Sequence, residues 1–373
     1  MVPRSNAARL RLTVFGGLVV AGLSLGLMGV ATREAPAAPV LPPAPSPTPE
    51  GASTLLERGE ALLADGRWDG ALAAFDEAVQ LDPTLDAAHL GAAQALLFAH
   101  RYGAAVERAE QAVALDPSNS VAQAVLALAR NWNGETARAL AAARRAVQLD
   151  AASAWAHAYV AEALVDQYKL PEATKALERA RALAPDDPEV RRVGGYLLET
   201  QQDYAAAAEE YRAALAQRPH WAHLHVALGH ALRVLQRNDE ATAAFEQALA
   251  VAPADPRGEA GLGMVAFDQE EYALAIPHFE RAIEIDPTYP TAYGQLGVIY
   301  YQGRDYVRAQ PLFERAVELE PNPARNASYR HALGGIYLAN HQNGEARGQF
   351  TKALELNPAL QGARDGLARL GGH

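Results

Sequence analysis

Small and apolar residues recur along most of the chain with a period of 34 residues. A proline marks this period seven times between residues 83 and 321, six times after an acidic or small residue, and Ala151 occupies the same slot once. Pro358 follows after 37 residues, which implies a three-residue insertion near residues 323–326. A fixed period of this length is typical of repeat architectures, and no strand-like alternation competes with it. The pattern therefore predicts nine consecutive helical units between residues 52 and 360.

Four positions of the unit indicate how its helices pack. With the marking proline at position 32, alanine occupies positions 20 and 27 in all nine units. Position 8 is always glycine or alanine, and position 24 is phenylalanine or tyrosine in six units. Small residues let two helices lie close together, and the aromatic side chain fills the space between them. Each unit is too small to bury its own apolar face, so stability must come from stacking.

These positions resemble the tetratricopeptide repeat (TPR) family over residues 52–360. The resemblance implies an all-α fold, a right-handed α-solenoid superhelix of helix-turn-helix units. The nine predicted units are residues 52–85, 86–119, 120–153, 154–187, 188–221, 222–255, 256–289, 290–323 and 327–360. We predict a C-terminal capping helix and tail over residues 361–373. The aspartates of Asp187-Pro188 and Asp255-Pro256 are predicted helix N-caps.

The first 51 residues have a different pattern. Residues 1–11 are basic, and the uncharged run 12–30 is long enough to cross a membrane, since 19 helical residues rise ~28 Å. Arginines before the run predict a cytoplasmic N-terminus and an exported repeat body, periplasmic or extracellular. The run's length favours an uncleaved transmembrane anchor over a cleaved signal, which would leave a secreted protein. Residues 31–51 form a proline-rich linker, typical of a spacer.

Within the run, Gly22 and Gly26 form a GxxxG pair. Such a pair lets two membrane helices approach closely, so self-association stays open beside the plainer interpretation of chance spacing.

Composition and motifs exclude several classes of function. The chain has no cysteine, which excludes disulfides, thiolate metal sites and cysteine nucleophiles. Its formal net charge of −11, with no basic stripe, argues against a nucleic-acid partner. It has no glycine-rich phosphate loop, HExxH motif or GxSxG motif, and the repeats leave no room for a catalytic domain. We therefore predict a non-enzymatic protein with no cofactor and no metal.

Two sets of polar residues are weighed against that conclusion. Spacing of four puts Glu162 and Asp166 on one helix face, as an acid/base pair would need, but a solvated charged face is the favoured interpretation. Histidines are concentrated between residues 220 and 230, with spacings that do not favour a shared metal ion. They are interpreted as surface or groove residues: His220, His223, His225 and His230.

The resemblance also implies where a partner binds. In TPR proteins, positions 2, 5, 9, 12 and 13 of the first helix line the concave face. Aromatic and arginine side chains at these positions suit the recognition of a peptide or helix. The predicted partner-binding groove consists of Phe98, Trp132, Trp155, Glu162, Arg192, Tyr196, Glu199, His223, His230, Arg233, Phe267 and Tyr301. No lysine occupies position 5, so the carboxylate clamp of some TPR proteins is not supported.

Three functions follow as hypotheses. The first is a protein–protein interaction scaffold or assembly factor that binds an envelope protein in the groove. The second is a TPR adaptor subunit that presents substrate to a partner enzyme, such as a glycan-processing or secretion machine. The third is a metal-binding or small-ligand-binding protein that uses the histidine cluster.

Overall fold

The computed structural model describes residues 51–371, which form nineteen α-helices and their connections and contain no strand. The helices are α1 Ala52–Ala64, α2 Trp68–Leu81, α3 Asp86–Phe98, α4 Tyr102–Leu115, α5 Ser120–Trp132, α6 Thr136–Leu149, α7 Ala154–Val165, α8 Leu170–Leu183, α9 Pro188–Thr200, α10 Tyr204–Gln217, α11 Ala222–Val234, α12 Asn238–Val251, α13 Pro256–Asp268, α14 Tyr272–Ile285, α15 Pro290–Gln302, α16 Tyr306–Leu319, α17 Pro323–Ala339, α18 Asn343–Leu356 and α19 Gln361–Gly371. Each helix packs against its neighbours in sequence, and the first helices of most adjacent units also contact each other. The predicted all-α TPR solenoid is confirmed.

The odd-numbered helices up to α17 are the first helices of the nine units, and the even-numbered ones are the second helices. Eight first helices begin at the first residue of a predicted unit. The ninth, α17, begins at Pro323, so the residues of the insertion form an additional turn at its N-terminus. After it, α19 packs on α17 and α18, where a capping helix is expected.

Aromatic side chains at position 24 pack directly on helix backbone. Phe245 is fully buried between Gly229 of its own unit and Gly261 of the next. A Cβ atom added at Gly261 would lie 2.3 Å from the Phe245 ring, and one added at Gly229 would lie 2.7 Å from it. The ring therefore occupies the space that any larger residue at either position would need. The alanines at position 20 are likewise fully buried in all nine units.

Each unit turns between its two helices through one residue in the left-handed region of φ, at position 15. The predicted N-caps are confirmed, because the Asp187 carboxylate accepts from the amides of Glu189 and Val190, and Asp255 accepts from that of Arg257. Capping of this kind satisfies amides that have no partner within the helix.

The anchor predicted at residues 12–30 and most of the linker at 31–51 lie outside the described residues. Among residues 51–371, no helix is both long enough and apolar enough to span a membrane.

Two glycine-to-alanine substitutions test the packing at position 24. Gly261→Ala should destabilise the protein by about 1–3 kcal/mol, because the new methyl group overlaps the Phe245 ring. Gly348→Ala is the matched control, since Gly348 is exposed within α18 and no atom would lie within 4 Å of its Cβ. It should stabilise the helix by about 0.5–1 kcal/mol. Thermal unfolding followed by circular dichroism measures both, and equal shifts would contradict this packing.

Candidate functional site

Aromatic contacts connect units that are far apart in sequence. The ring of Phe98, at the end of α3, lies 4.8 Å from that of Trp68, 5.7 Å from that of Trp221 and 5.6 Å from that of His223, between centroids. Trp132 also contacts His223, with centroids 5.6 Å apart. The concave face of units 1–3 therefore meets the beginning of unit 6 across the superhelix.

A polar contact joins the same two regions. Nε2 of His100 lies 2.6 Å from Nη2 of Arg257 and 3.1 Å from Oδ2 of Asp255. Burial alone would raise the pKa of Asp255, but hydrogen bonds from His100 and Arg257 outweigh it and hold the pKa well below its usual range. The Asp255 carboxylate is therefore ionised, and it holds the turn after α3 against the start of α13.

A third contact between distant units depends on the backbone geometry of Gly66. Gly66, in the turn after α1, has φ +74°, and an added Cβ would lie 2.9 Å from the Cβ of His220. Glycine is suited to this position because it accepts positive φ and leaves room for the neighbouring segment.

These contacts leave two cavities on the concave face. The acidic cavity has a volume of 380 Å³ and is lined by Tyr102, Asn131, Trp132, Glu162, Asp166, Arg192, Tyr196, Glu199, Tyr211, His223, Leu224, Ala227 and Arg257. The apolar cavity has a volume of 210 Å³ and is lined by Glu60, Leu63, Ala64, Gln94, Leu97, Phe98, Val125, Leu128, Trp155, Tyr159, Asp187, Pro188, Glu189, Arg218 and Trp221. Rings that contact each other line different cavities, so the aromatic cluster separates the two.

A buried ion triad borders both cavities, because Glu162 and Arg192 line the acidic cavity and Glu189 lines the apolar one. Arg192 donates to both oxygens of Glu162, at 3.1 and 2.5 Å, and its Nε donates to Glu189 at 2.6 Å. All three residues are at least 95% buried, with exposures of 4% or 5%. Burial raises the pKa of Glu189, and Arg192 opposes the increase. The interpretation of Glu162 as part of a solvated charged face is therefore wrong, because a side chain of the next unit covers it.

Neutral donors complete this triad. Trp132 donates from its indole nitrogen to Glu162 at 2.9 Å, and Tyr159 donates to Glu189 at 2.9 Å. The guanidinium of Arg192 also lies 5.3 Å from the Trp132 ring centroid, within the range of a cation–π contact. The partners of the three charges are thus fixed, as a buried charge requires.

Two further carboxylates face the acidic cavity. Asp166 accepts from the Tyr196 hydroxyl and from Asn131 Nδ2, the latter at 2.7 Å. Glu199 accepts from the Tyr211 hydroxyl at 2.9 Å. Burial raises the pKa of Asp166, and it raises the pKa of Glu199 to about 7. Their hydrogen-bond donors are all uncharged.

The predicted groove residues fall into three sets. Those that line the acidic cavity are Trp132, Glu162, Arg192, Tyr196, Glu199 and His223. Phe98 and Trp155 line the apolar cavity, where Trp155 donates to Asp187 at 3.0 Å. The others lie apart from both cavities: His230 packs on Phe245, Arg233 pairs with Asp268, Phe267 contacts Tyr272, and Tyr301 contacts Tyr306.

The four histidines between residues 220 and 230 have separate environments. His225 contacts the carbonyl oxygen of Pro219 at 2.9 Å, and His220 is exposed. Burial lowers the pKa of His223 well below its usual value and that of His230 to about 4, so both rings are neutral at pH 7. Within residues 51–371, no three histidine or carboxylate side chains are grouped to hold a metal ion.

Several cavity residues were missing from the predicted site. Asn131 and Glu189 occupy positions 12 and 2 of their units, which belong to the expected groove positions. A second signal is a separation of 30 residues, which relates Trp132 to Glu162 and Glu162 to Arg192. Position 13 of one unit thus contacts position 9 of the next, and position 9 contacts position 5.

Models of two tetratricopeptide repeat families match the sequence. One, TPR_16, matches residues 161–220 and 226–290, and the other, TPR_19, matches residues 62–129 and 266–336. The chain belongs to the tetratricopeptide repeat family. No curated protein matches the sequence.

Solved structures of other proteins share the fold at low sequence identity. In the Cut9–Hcn1 heterotetramer of the APC/C, the similarity has a TM-score of 0.65 at 19% identity, and it covers 81% of this chain and 59% of that chain. Human IFIT1, solved as a dimer with m7Gppp-AAAA, has a TM-score of 0.56 at 18% identity over 82% of this chain and 72% of its own. Yeast Tom70 has a TM-score of 0.51 at 13% identity, and the similarity covers 86% of this chain and 95% of that chain. These similarities show the fold alone.

Substitution of Arg192 tests the triad. Arg192→Met should destabilise the protein by about 3–5 kcal/mol, because Glu162 and Glu189 would remain buried without their cation. Adding Glu162→Gln and Glu189→Gln to that variant should restore most of the loss, since no unpaired charge remains. Urea unfolding measures the difference, and a triple variant no more stable than Arg192→Met would contradict the ionic role.

The raised pKa of Glu199 predicts a pH dependence of stability. Since the pKa is about 7 in the folded protein, and lower in the unfolded chain, the folded state binds more protons between about pH 4.5 and 7. This group's contribution to stability therefore falls as the pH rises through that window. Glu199→Gln should gain on the order of 2–3 kcal/mol relative to the parent between pH 5 and 8. Thermal unfolding at both values tests this, with exposed Glu209→Gln as the control that leaves the parent profile unchanged.

Proposed function

We propose that this protein is an interaction scaffold or assembly factor that holds a peptide segment of an envelope partner on its concave face. TPR proteins bind protein partners, and this family assignment supports the general role. The observation that carries the specific proposal is the pair of cavities on either side of one aromatic cluster. Neighbouring cavities can receive successive side chains of one bound segment.

The apolar cavity supplies the first anchor position. Leu63, Leu97 and Leu128 line it together with the rings of Phe98 and Trp221. Burial of an apolar side chain in such a site stabilises binding by about 1.5–3 kcal/mol. The groove therefore favours a partner segment with a large apolar side chain.

The sequence outside the described residues supports the proposed location. Arg4, Arg9 and Arg11 precede the uncharged run 12–30, which we propose anchors the protein with its repeat body on the exported side. The proline-rich residues 31–51 would then keep the scaffold away from the membrane surface.

In-cell crosslinking of the full-length protein tests this function. Ala64 is exposed at the end of α1 and lines the apolar cavity, so Ala64→Trp should fill the cavity without removing an existing contact. Ala61→Trp is the matched control, because Ala61 is exposed on the same helix and does not line the cavity. We expect a dominant crosslinked partner with the parent and with Ala61→Trp, and its loss with Ala64→Trp. Equal capture by all three proteins would refute binding at this site.

A further inference from the structure

The acidic cavity contains two carboxylates for which the described chain provides no cation. Asp166 and Glu199 both line it, and neither forms an ion pair within residues 51–371. A buried or half-buried carboxylate is normally paired with a positive charge, because desolvation is otherwise unfavourable. Two hydroxyl groups and one amide donate to them, and none of these donors carries a positive charge.

The repeat pattern explains why the cation is missing. One series of groove residues, spaced 30 residues apart, consists of Trp132, Glu162 and Arg192. Its last member provides the guanidinium that pairs with the Glu162 carboxylate. The corresponding series one unit later consists of Asp166, Tyr196 and Val226. The position that provides Arg192 in the first series is therefore apolar in the second.

An independent observation points to a ligand that donates hydrogen bonds. Asn131 lines the cavity and is 8% exposed, and its Oδ1 atom has no hydrogen-bond partner among the described residues. Its Nδ2 already donates to Asp166, so the free atom is the acceptor. Nε2 of His223, which also lines the cavity, has no partner in these residues either. An acceptor left buried without a donor is unfavourable, and a bound donor group would satisfy Asn131 Oδ1.

The charges around the cavity favour a cation. Carboxylates outnumber guanidinium groups, and both guanidiniums are already engaged: Arg192 with Glu162 and Glu189, and Arg257 with Asp255. The other titratable groups that face Asp166 and Glu199 are uncharged at pH 7: Tyr102, Tyr196, Tyr211 and His223. Aromatic rings beside carboxylates are suited to binding ammonium groups through cation–π contacts.

We propose that the acidic cavity binds a primary ammonium group on an alkyl stem, as presented by a lysine side chain of the bound partner segment. An ammonium group carries three donors, which match the two carboxylates and the free Asn131 oxygen. The cavity volume of 380 Å³ lies within the ~300–1,000 Å³ typical of small-ligand sites. The assignment to a partner's lysine depends on the proposed function, whereas the ammonium chemistry does not, because a free alkyl diamine carries the same group.

Calorimetric titration of the purified full-length protein tests the ammonium site directly. The probes are Nα-acetyl-lysine amide, 1,5-diaminopentane, and Nα-acetyl-norleucine amide as the uncharged counterpart of lysine. We expect the amines to bind and the norleucine amide not to bind. Binding of the lysine probe assigns the group to a side chain, and binding of the diamine alone assigns it to a free amine.

Three variants locate the binding. Asp166→Asn and Glu199→Gln each replace an ionisable carboxyl by an amide of similar shape, and each should weaken amine binding by about tenfold or more. Ala227→Phe fills the cavity and should abolish binding, which keeps the test decisive where a charge variant fails to fold. Asp239→Asn, an exposed carboxylate on α12, is the control and should bind as the parent does. Amine binding that equals that of norleucine amide, or that survives all three variants, would overturn the proposal.

The two proposals fail in distinguishable ways. Absence of amine binding, combined with partner capture that Ala64→Trp abolishes, would remove the ammonium site and retain the scaffold. Amine binding combined with capture that is indifferent to Ala64→Trp would retain the ammonium site and remove the proposed peptide groove.

Discussion

Packing of an aromatic ring on bare helix backbone sets the spacing of the units. Phe75 and Phe245 each lie against a glycine of their own unit and a glycine of the following one, and Phe350 lies between Gly334 of its own unit and Gly366 of α19. An added Cβ at any of these glycines would lie within 2.3–2.7 Å of the ring, so the contact tolerates no side chain on the opposing helix. Units 2 to 4 have Ala109, Ala143 and Leu177 at this position, yet every unit stacks on the next, and the small rotation between units accumulates into a superhelix. The positions of residues on the concave face depend on this accumulated rotation.

Accumulated rotation has a chemical consequence. It brings the turn after α3 against the start of α13, where His100, Asp255 and Arg257 meet over a separation of 155 residues or more. The concave face is thereby partly enclosed, and charges that a more open groove would leave in water become buried. Burial makes each charge depend on its neighbours, because the desolvation of an ion is offset only by paired charges and hydrogen bonds. The triad of Glu162, Glu189 and Arg192 meets that requirement within two adjacent units.

The sequence predicts the features that recur in every unit, but it does not predict contacts that depend on the rotation accumulated over several units. Helix bounds follow from a local period, so the first helices of eight units begin where the period places them. Contacts between adjacent units follow the same logic, since a separation of 30 residues relates Trp132 to Glu162 and Glu162 to Arg192. Applied to every groove position, that offset would have predicted the pairing of Asp166 with Tyr196. The contact of Phe98 with His223 has no such signal, because it depends on a rotation summed over several units.

Contacts between adjacent units and contacts across the superhelix have different roles on the concave face. Contacts between adjacent units form between positions that recur in every unit. A different residue at one of these positions therefore changes one contact and leaves the corresponding contacts of other units in place. Val226 is such a residue, because it follows Tyr196 by 30 residues and occupies the position that Arg192 has in the preceding unit. It is 4% exposed and packed in the core. Arg192, at the corresponding position of the first series, has its guanidinium 5.3 Å from the ring of Trp132, the residue that corresponds to Asp166. Val226 instead packs α11 into the core, and Asp166 has only uncharged hydrogen-bond donors among residues 51–371.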